Sequence, residues 1–108
     1  MYIPTIGIEM HCEMKSFSKV FSKARNTYSE EANIHVAVND IALPGILPTL
    51  NKEVLRKSIM VASILNCEIP EYFFFDRKNY YYPDLPKGYQ ITQTHSPIGV
   101  NGHITIPY

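Results

Sequence analysis

The chain has 108 residues, 45% hydrophobic and 19% charged, and its ten basic residues balance ten acidic ones. That length suits one folded domain, and zero net charge excludes whole-chain steering to nucleic acid or an anionic membrane. No apolar run approaches the ~18 residues of a membrane span, no signal peptide is legible, and two cysteines, Cys12 and Cys67, fit a reducing cytoplasmic or organellar-matrix setting rather than a disulfide scaffold.

The first element lies at Ile6–Lys15. Ile6, Ile8, Met10, Cys12 and Met14 alternate with Gly7, Glu9, His11, Glu13 and Lys15. A period of two predicts a half-buried strand with the apolar set on its core side. Residues 16–43 read as a long excursion with one short strand around Ile34–Val38. Leu43-Pro44-Gly45-Ile46-Leu47-Pro48 reads as a turn, because its prolines exclude regular helix and Pro-Gly marks a reversal.

One helix of about four turns follows. Asn51 is its N-cap, Leu50 is placed to staple onto Leu55, and Val54, Leu55, Ile59, Ala62 and Leu65 recur at helical spacing. Asn66 reads as its C-cap, and Pro70 forbids continuation. Tyr72–Tyr82 reads as a second strand, Tyr82–Gly88 as a turn and Tyr89–His95 as a third strand. Asn101-Gly102 predicts a type I′ hairpin returning through Ile104 and Ile106. The chain stops at Tyr108 inside this expected strand, which reads as a larger protein cut short. The fold class expected is α+β, with an antiparallel sheet and a single main helix.

Glu9, His11 and Glu13 share one side of the first predicted strand, with same-side neighbours about 6.5–7 Å apart. Two carboxylates and an imidazole suit Mg²⁺ or Mn²⁺ better than a structural zinc; a solvated strand face with incidental charge is the competing reading. Arg77 and Lys78 lie among aromatics, with Lys87 beyond the turn. These cations suit a phosphate or a polar tunnel, or else they are edge charges that deter aggregation. Tyr80, Tyr81 and Tyr82 offer stacking surfaces for a nucleotide, or simple sheet packing. His35, His95 and His103 have no convincing partners in the sequence. Cys12 reads as a buried apolar filler, and Cys67 lies away from any basic cluster. There is no P-loop, Gly-x-Ser-x-Gly or dinucleotide fingerprint.

Three segments, in order, resemble the B-subunit of the aspartyl/glutamyl-tRNA amidotransferase family. They are Ile6–Lys15, then Leu43–Pro48 with Asn51-Lys52, then Phe75-Asp76-Arg77-Lys78-Asn79-Tyr80-Tyr81-Tyr82-Pro83-Asp84-Leu85-Pro86-Lys87-Gly88-Tyr89-Gln90-Ile91. The resemblance covers the whole chain and implies an N-terminal fragment of the family's catalytic cradle domain. It implies a fold like part of the glutamine synthetase and guanidino kinase core. It also implies an activity: ATP phosphorylates the side-chain carboxylate of mischarged Glu-tRNA(Gln) or Asp-tRNA(Asn), and glutamine-derived ammonia then forms the amide. The implied partners are the family's glutaminase subunit, its small third subunit and the mischarged tRNA, with no membrane.

The same resemblance assigns Glu9, His11 and Glu13 to metal binding, with Glu9 and His11 catalytic. It places Lys78 and Lys87 beside the ammonia path, and Arg77, Tyr82, Asp84 and Gln90 near the nucleotide or the 3′-adenosine. Many members bind zinc through Cys-x-Cys and Cys-x-x-Cys in the excursion. Here Ser22, Ala24, Ala37 and Asp40 stand at those places, so no zinc is expected and the excursion must be held otherwise. An alternative role is a catalytically inactive fragment that docks on the glutaminase, and a piece with no stable fold is the blandest expectation.

Overall fold

The computed structural model describes residues 1–85 and 88–107. Two units, Met1–Val54 and Leu55–Tyr108, divide the chain. Four elements follow in order: α1 (Val38–Ile41), α2 (Lys52–Ile64), β1 (Asp76–Asn79) and β2 (Tyr89–Thr92). Helices and an antiparallel pair make this an α+β chain, as expected. No described helix is long and apolar enough to cross a membrane.

In the first unit, residues 1–15 form no helix or strand, and all but Met14 are exposed. The strand expected at Ile6–Lys15 is therefore absent, and its intended core residues face solvent: Ile6 is 86% exposed, Ile8 84% and Met10 88%. Cys12 is exposed too, not the buried filler expected. The physical reason is pairing. Alternation specifies which side of a strand is apolar, but a strand exists only when a neighbour takes its backbone groups. Among the described residues no strand or β-bridge pairs with this segment, and Asn26 Nδ2 donates to Met14 O at 3.5 Å.

The excursion is held by hydrogen bonds rather than by a sheet. Lys19 N–H donates to Ala24 O at 3.0 Å and Asn26 N–H to Phe17 O at 3.0 Å, closing a small loop around the Ser18–Arg25 bridge. Ser22 and Ala24 are buried inside it. The short strand expected around Ile34–Val38 is absent: residues 34–37 form no helix or strand, and α1 starts at Val38. Asp40 explains the change: its carboxylate accepts the Ala37 N–H at 2.9 Å, which caps a helical turn that strand pairing would break. The predicted Pro-Gly turn is present. Ile46 N–H donates to Leu43 O at 3.1 Å, with Gly45 at φ +85°, the left-handed third position of a type II turn.

Helix α2 follows its sequence signals closely. Asn51 Oδ1 accepts the N–H groups of Glu53 (2.9 Å) and Val54 (3.4 Å), capping the first turn of the helix. Its other end closes as a Schellman motif, with Cys67 N–H donating to Ala62 O at 2.9 Å and Asn66 N–H to Ser63 O at 3.1 Å. Asn66 sits at φ 53°, so it is the left-handed residue just past the cap. Val54 and Ala62 are buried, whereas Ile59 lies at the exposed margin.

In the second unit, Glu68 and Val100 exchange both backbone hydrogen bonds, at 2.9 and 3.0 Å. This pairing corrects the hairpin expected at Asn101-Gly102. Asn101 does take a positive φ of 54°, but Gly102 does not join it, and His103 N–H donates instead to Leu65 O at 2.8 Å. The loop packs against the end of α2, where a Cβ on Gly102 would meet Cys67 Sγ at 2.5 Å. Ile104 and Ile106 continue exposed and unpaired in any strand. The second and third expected strands shorten to β1 and β2, paired antiparallel as Asp76↔Thr92, Arg77↔Ile91, Lys78↔Gln90 and Asn79↔Tyr89. Beyond β1, Tyr80 N–H donates to Gly88 O at 2.9 Å, and a Cβ on Gly88 would strike the Tyr80 carbonyl.

Candidate functional site

Two groups of the expected site residues fall in different units. In the first, an open concavity of about 930 Å³ is lined by His11, Cys12, Glu13, Lys15, Lys19, Asn26 and Tyr28 among others. His11 and Glu13 thus line it together with Lys15 and Lys19, whereas Glu9 does not. Glu9, His11 and Glu13 are all exposed. Their donor types fit a hard divalent cation. Their arrangement does not form such a site alone, because among the described residues no three His, Cys, Asp or Glu side chains gather to hold a metal ion.

Beside this concavity lies a network that the sequence does not announce. Lys19 Nζ donates to Asp40 Oδ2 at 3.1 Å and to the His35 carbonyl at 2.7 Å. Burial opposes ionisation of Asp40. Hydrogen bonds from the Ala37 N–H, the Lys19 ammonium and the Ser22 hydroxyl, together with the Lys19 charge, outweigh it and hold the carboxyl below its ordinary value of 3.8. All four residues standing at the places of the family's thiolates, Ser22, Ala24, Ala37 and Asp40, thus belong to one hydrogen-bonded cluster, with Ala24 N–H donating to Ser22 Oγ at 3.3 Å. Their spacing is the only signal of it in the sequence; nothing there points to Lys19.

In the second unit, the register places Lys78 directly opposite Gln90. Cross-strand partners share a side, and alternate residues join them, so Asp76, Lys78, Gln90 and Thr92 line one side. Arg77 lies on the other with Tyr89 and Ile91. The Lys78 ammonium stands 5.8 Å from the centroid of the Tyr80 ring, and that ring lies 5.8 Å from the ring of Tyr82. Tyr82 and Asp84 are exposed in a turn where Leu85 N–H donates to Tyr82 O at 3.2 Å. Lys87 lies outside the described residues.

His95, for which the sequence offers no convincing partner, has one. Asp76 Oδ2 accepts the His95 backbone N–H at 3.2 Å and lies 3.2 Å from the imidazole Nδ1. The backbone bond, then the imidazole bond, hold the Asp76 carboxyl below its ordinary value of 3.8. Only the register of β1 on β2 brings these residues together, so local sequence carries no sign of it.

Residues 4–108 match the family model described as the GatB/GatE catalytic domain. The chain belongs to that family. It is 54% identical over 101 residues to the B-subunit of the aspartyl/glutamyl-tRNA(Asn/Gln) amidotransferase of Mycoplasma mobile, covering 94% of this chain and 21% of that protein. The corresponding B-subunits of Coxiella burnetii (strain RSA 493) and Carboxydothermus hydrogenoformans are each 48% identical, covering 95% and 97% of this chain and 22% of each relative. This member of the GatB/GatE catalytic domain family thus spans about a fifth of the length of the curated relatives it matches. It corresponds to an N-terminal portion of the B-subunit. The expected family is therefore established, on nearly the full length of the chain.

Proposed function

We propose that this chain is part of the catalytic domain of an ATP-dependent tRNA amidotransferase, a carbon–nitrogen ligase of protein biosynthesis. The family match over residues 4–108 carries the reading. The reaction converts Glu-tRNA(Gln) or Asp-tRNA(Asn) to the amide form. ATP phosphorylates the side-chain carboxylate, and ammonia from glutamine displaces phosphate. The partners are the glutaminase subunit, the small third subunit and the mischarged tRNA, in cytoplasm or an organellar matrix. The fuller fold is the glutamine synthetase-like cradle.

Phosphoryl transfer gathers negative charge that fixed cations must offset. Glu9, His11 and Glu13 would contribute donors to Mg²⁺ or Mn²⁺, completed by acidic side chains elsewhere in the full-length protein; the ion supplies neutralisation of the phosphate oxygens. Lys78 and Lys87 would line the ammonia path. An ammonium cannot attack a carbonyl, so positive neighbours there favour the neutral, nucleophilic form. Arg77, Tyr82, Asp84 and Gln90 would contact the nucleotide or the 3′-adenosine. The Lys78–Gln90 pairing supports grouping these two on one side of the ribbon.

The test reconstitutes a complete B-subunit carrying this sequence with the glutaminase and the small subunit. With ATP, glutamine and mischarged Glu-tRNA(Gln) or Asp-tRNA(Asn), chromatography of the released amino acid should show glutamine or asparagine, and omission of ATP should abolish it. An assembled complex that amidates neither substrate overturns the reading and leaves docking on the glutaminase as the chain's role.

A further inference from the structure

We infer that Asp76 and His95 form a clamp that positions Lys78 opposite Gln90, an inference that rests on the proposed reading of those two residues. The β1–β2 ribbon has four residue pairs, and an isolated two-stranded ribbon of that length is marginal in water. Its register therefore needs an anchor at an end. Asp76 is the first residue of β1, and His95 lies three residues beyond Thr92, the last residue of β2. One carboxylate oxygen accepts the backbone N–H of His95 at 3.2 Å and lies 3.2 Å from the imidazole Nδ1.

The same turn is fastened twice more to the chain entering β1. Ser96 Oγ donates to Tyr72 O at 3.2 Å, and Phe74 N–H donates to Ser96 O at 3.3 Å. Asp76 shares its side of the ribbon with Lys78 two residues on. Holding Asp76 against the His95 turn therefore fixes which residue of β2 faces Lys78. A slip of one residue would move Gln90 away and turn the side chains of β2 to the opposite side. The clamp itself touches no substrate. Asp76 and His95 are positioning residues.

The imidazole must donate through Nδ1 to make this contact. An asparagine amide at the same position offers its Nδ2–H from a similar place, whereas alanine offers none. The experiment uses the complete reconstituted enzyme with His95→Ala, His95→Asn, Asp76→Ala and, as a reference, Lys78→Met. Backbone amide exchange is followed over β1 and β2 alongside amidation. The clamp predicts exchange in both strands about two- to fivefold faster in His95→Ala and Asp76→Ala, the range an exposed ion pair supports. It predicts kcat falling by up to about the same two- to fivefold in both through misplacement of Lys78, with both readouts restored in His95→Asn.

Unchanged exchange in His95→Ala would overturn the clamp, as would an asparagine variant as impaired as alanine. If exchange rises as predicted but both alanine variants and Lys78→Met keep wild-type kcat, the clamp on the ribbon stands and the catalytic reading of Lys78 falls, and with it the positioning role.

Discussion

Asp40 shows how much one side chain decides in this chain. Its carboxylate caps the start of α1 by taking the Ala37 N–H and joins Lys19, 21 residues away in sequence, at 3.1 Å. Because its folded pKa is depressed, its stabilising contribution is full above the ordinary value of 3.8 and is lost as pH falls through the lower folded value. Asp40→Asn should remove the ion pair and cost about 1 kcal/mol, discounted for partial exposure. Thermal melts at pH 7 should show the loss, and it should shrink as the pH is lowered below about 4; equal melting temperatures at pH 7 would show the cluster contributes nothing. In the sequence Asp40 is legible only as a missing thiolate. The Lys19 contact depends on where the loop around Ser22 folds back, and no local pattern encodes that.

At the scale of elements, signals that act within a few residues are legible and those needing a distant partner are not. Asn51, Asn66 and the Pro44-Gly45 turn are local devices, and each performs the predicted task. The strand at Ile6–Lys15 and the Asn101-Gly102 hairpin need ladders, and the described residues supply none for either. Asn101 keeps the left-handed conformation it prefers but uses it to turn the loop under α2.

Asn51 does more than cap. Its Nδ2 also donates to Ser18 O at 3.0 Å and Ser18 Oγ at 2.9 Å, tying the loop to the helix start. Asn51→Asp keeps the cap acceptor and loses these donors, whereas Asn51→Ala loses both. Denaturant unfolding should rank wild type above aspartate and aspartate above alanine, with alanine about 2 kcal/mol below wild type. An aspartate variant as stable as wild type would show that the loop contacts carry no weight.

For the whole molecule, the pattern of elements along the chain suffices for the α+β class, and the three ordered signatures suffice for the family. The interior is thin: Ala24, Val54 and Ala62 are the buried apolar residues described, while Ile6, Ile8, Met10, Ile104 and Ile106 are exposed. Their alternation suits burial, and the pairing that would bury them is not found among the described residues. The candidate site is divided in the same way. His11 and Glu13 line a concavity in one unit, and Lys78 faces Gln90 in the other. Sequence can name these residues, because signature positions are local, but it cannot show Asp76 holding His95.

In the proposed function, this chain carries part of a carboxylate-phosphorylating site, with His11 in it. The direct measurement compares His11→Ala with wild type in the proposed complex with the glutaminase and small subunits, following tRNA-dependent ATP hydrolysis and glutamine hydrolysis side by side. The predicted result is a loss of ATP turnover by about a hundredfold or more, with basal hydrolysis of glutamine by the glutaminase retained. Undiminished ATP turnover in that variant would contradict a role for His11 in the proposed phosphorylation.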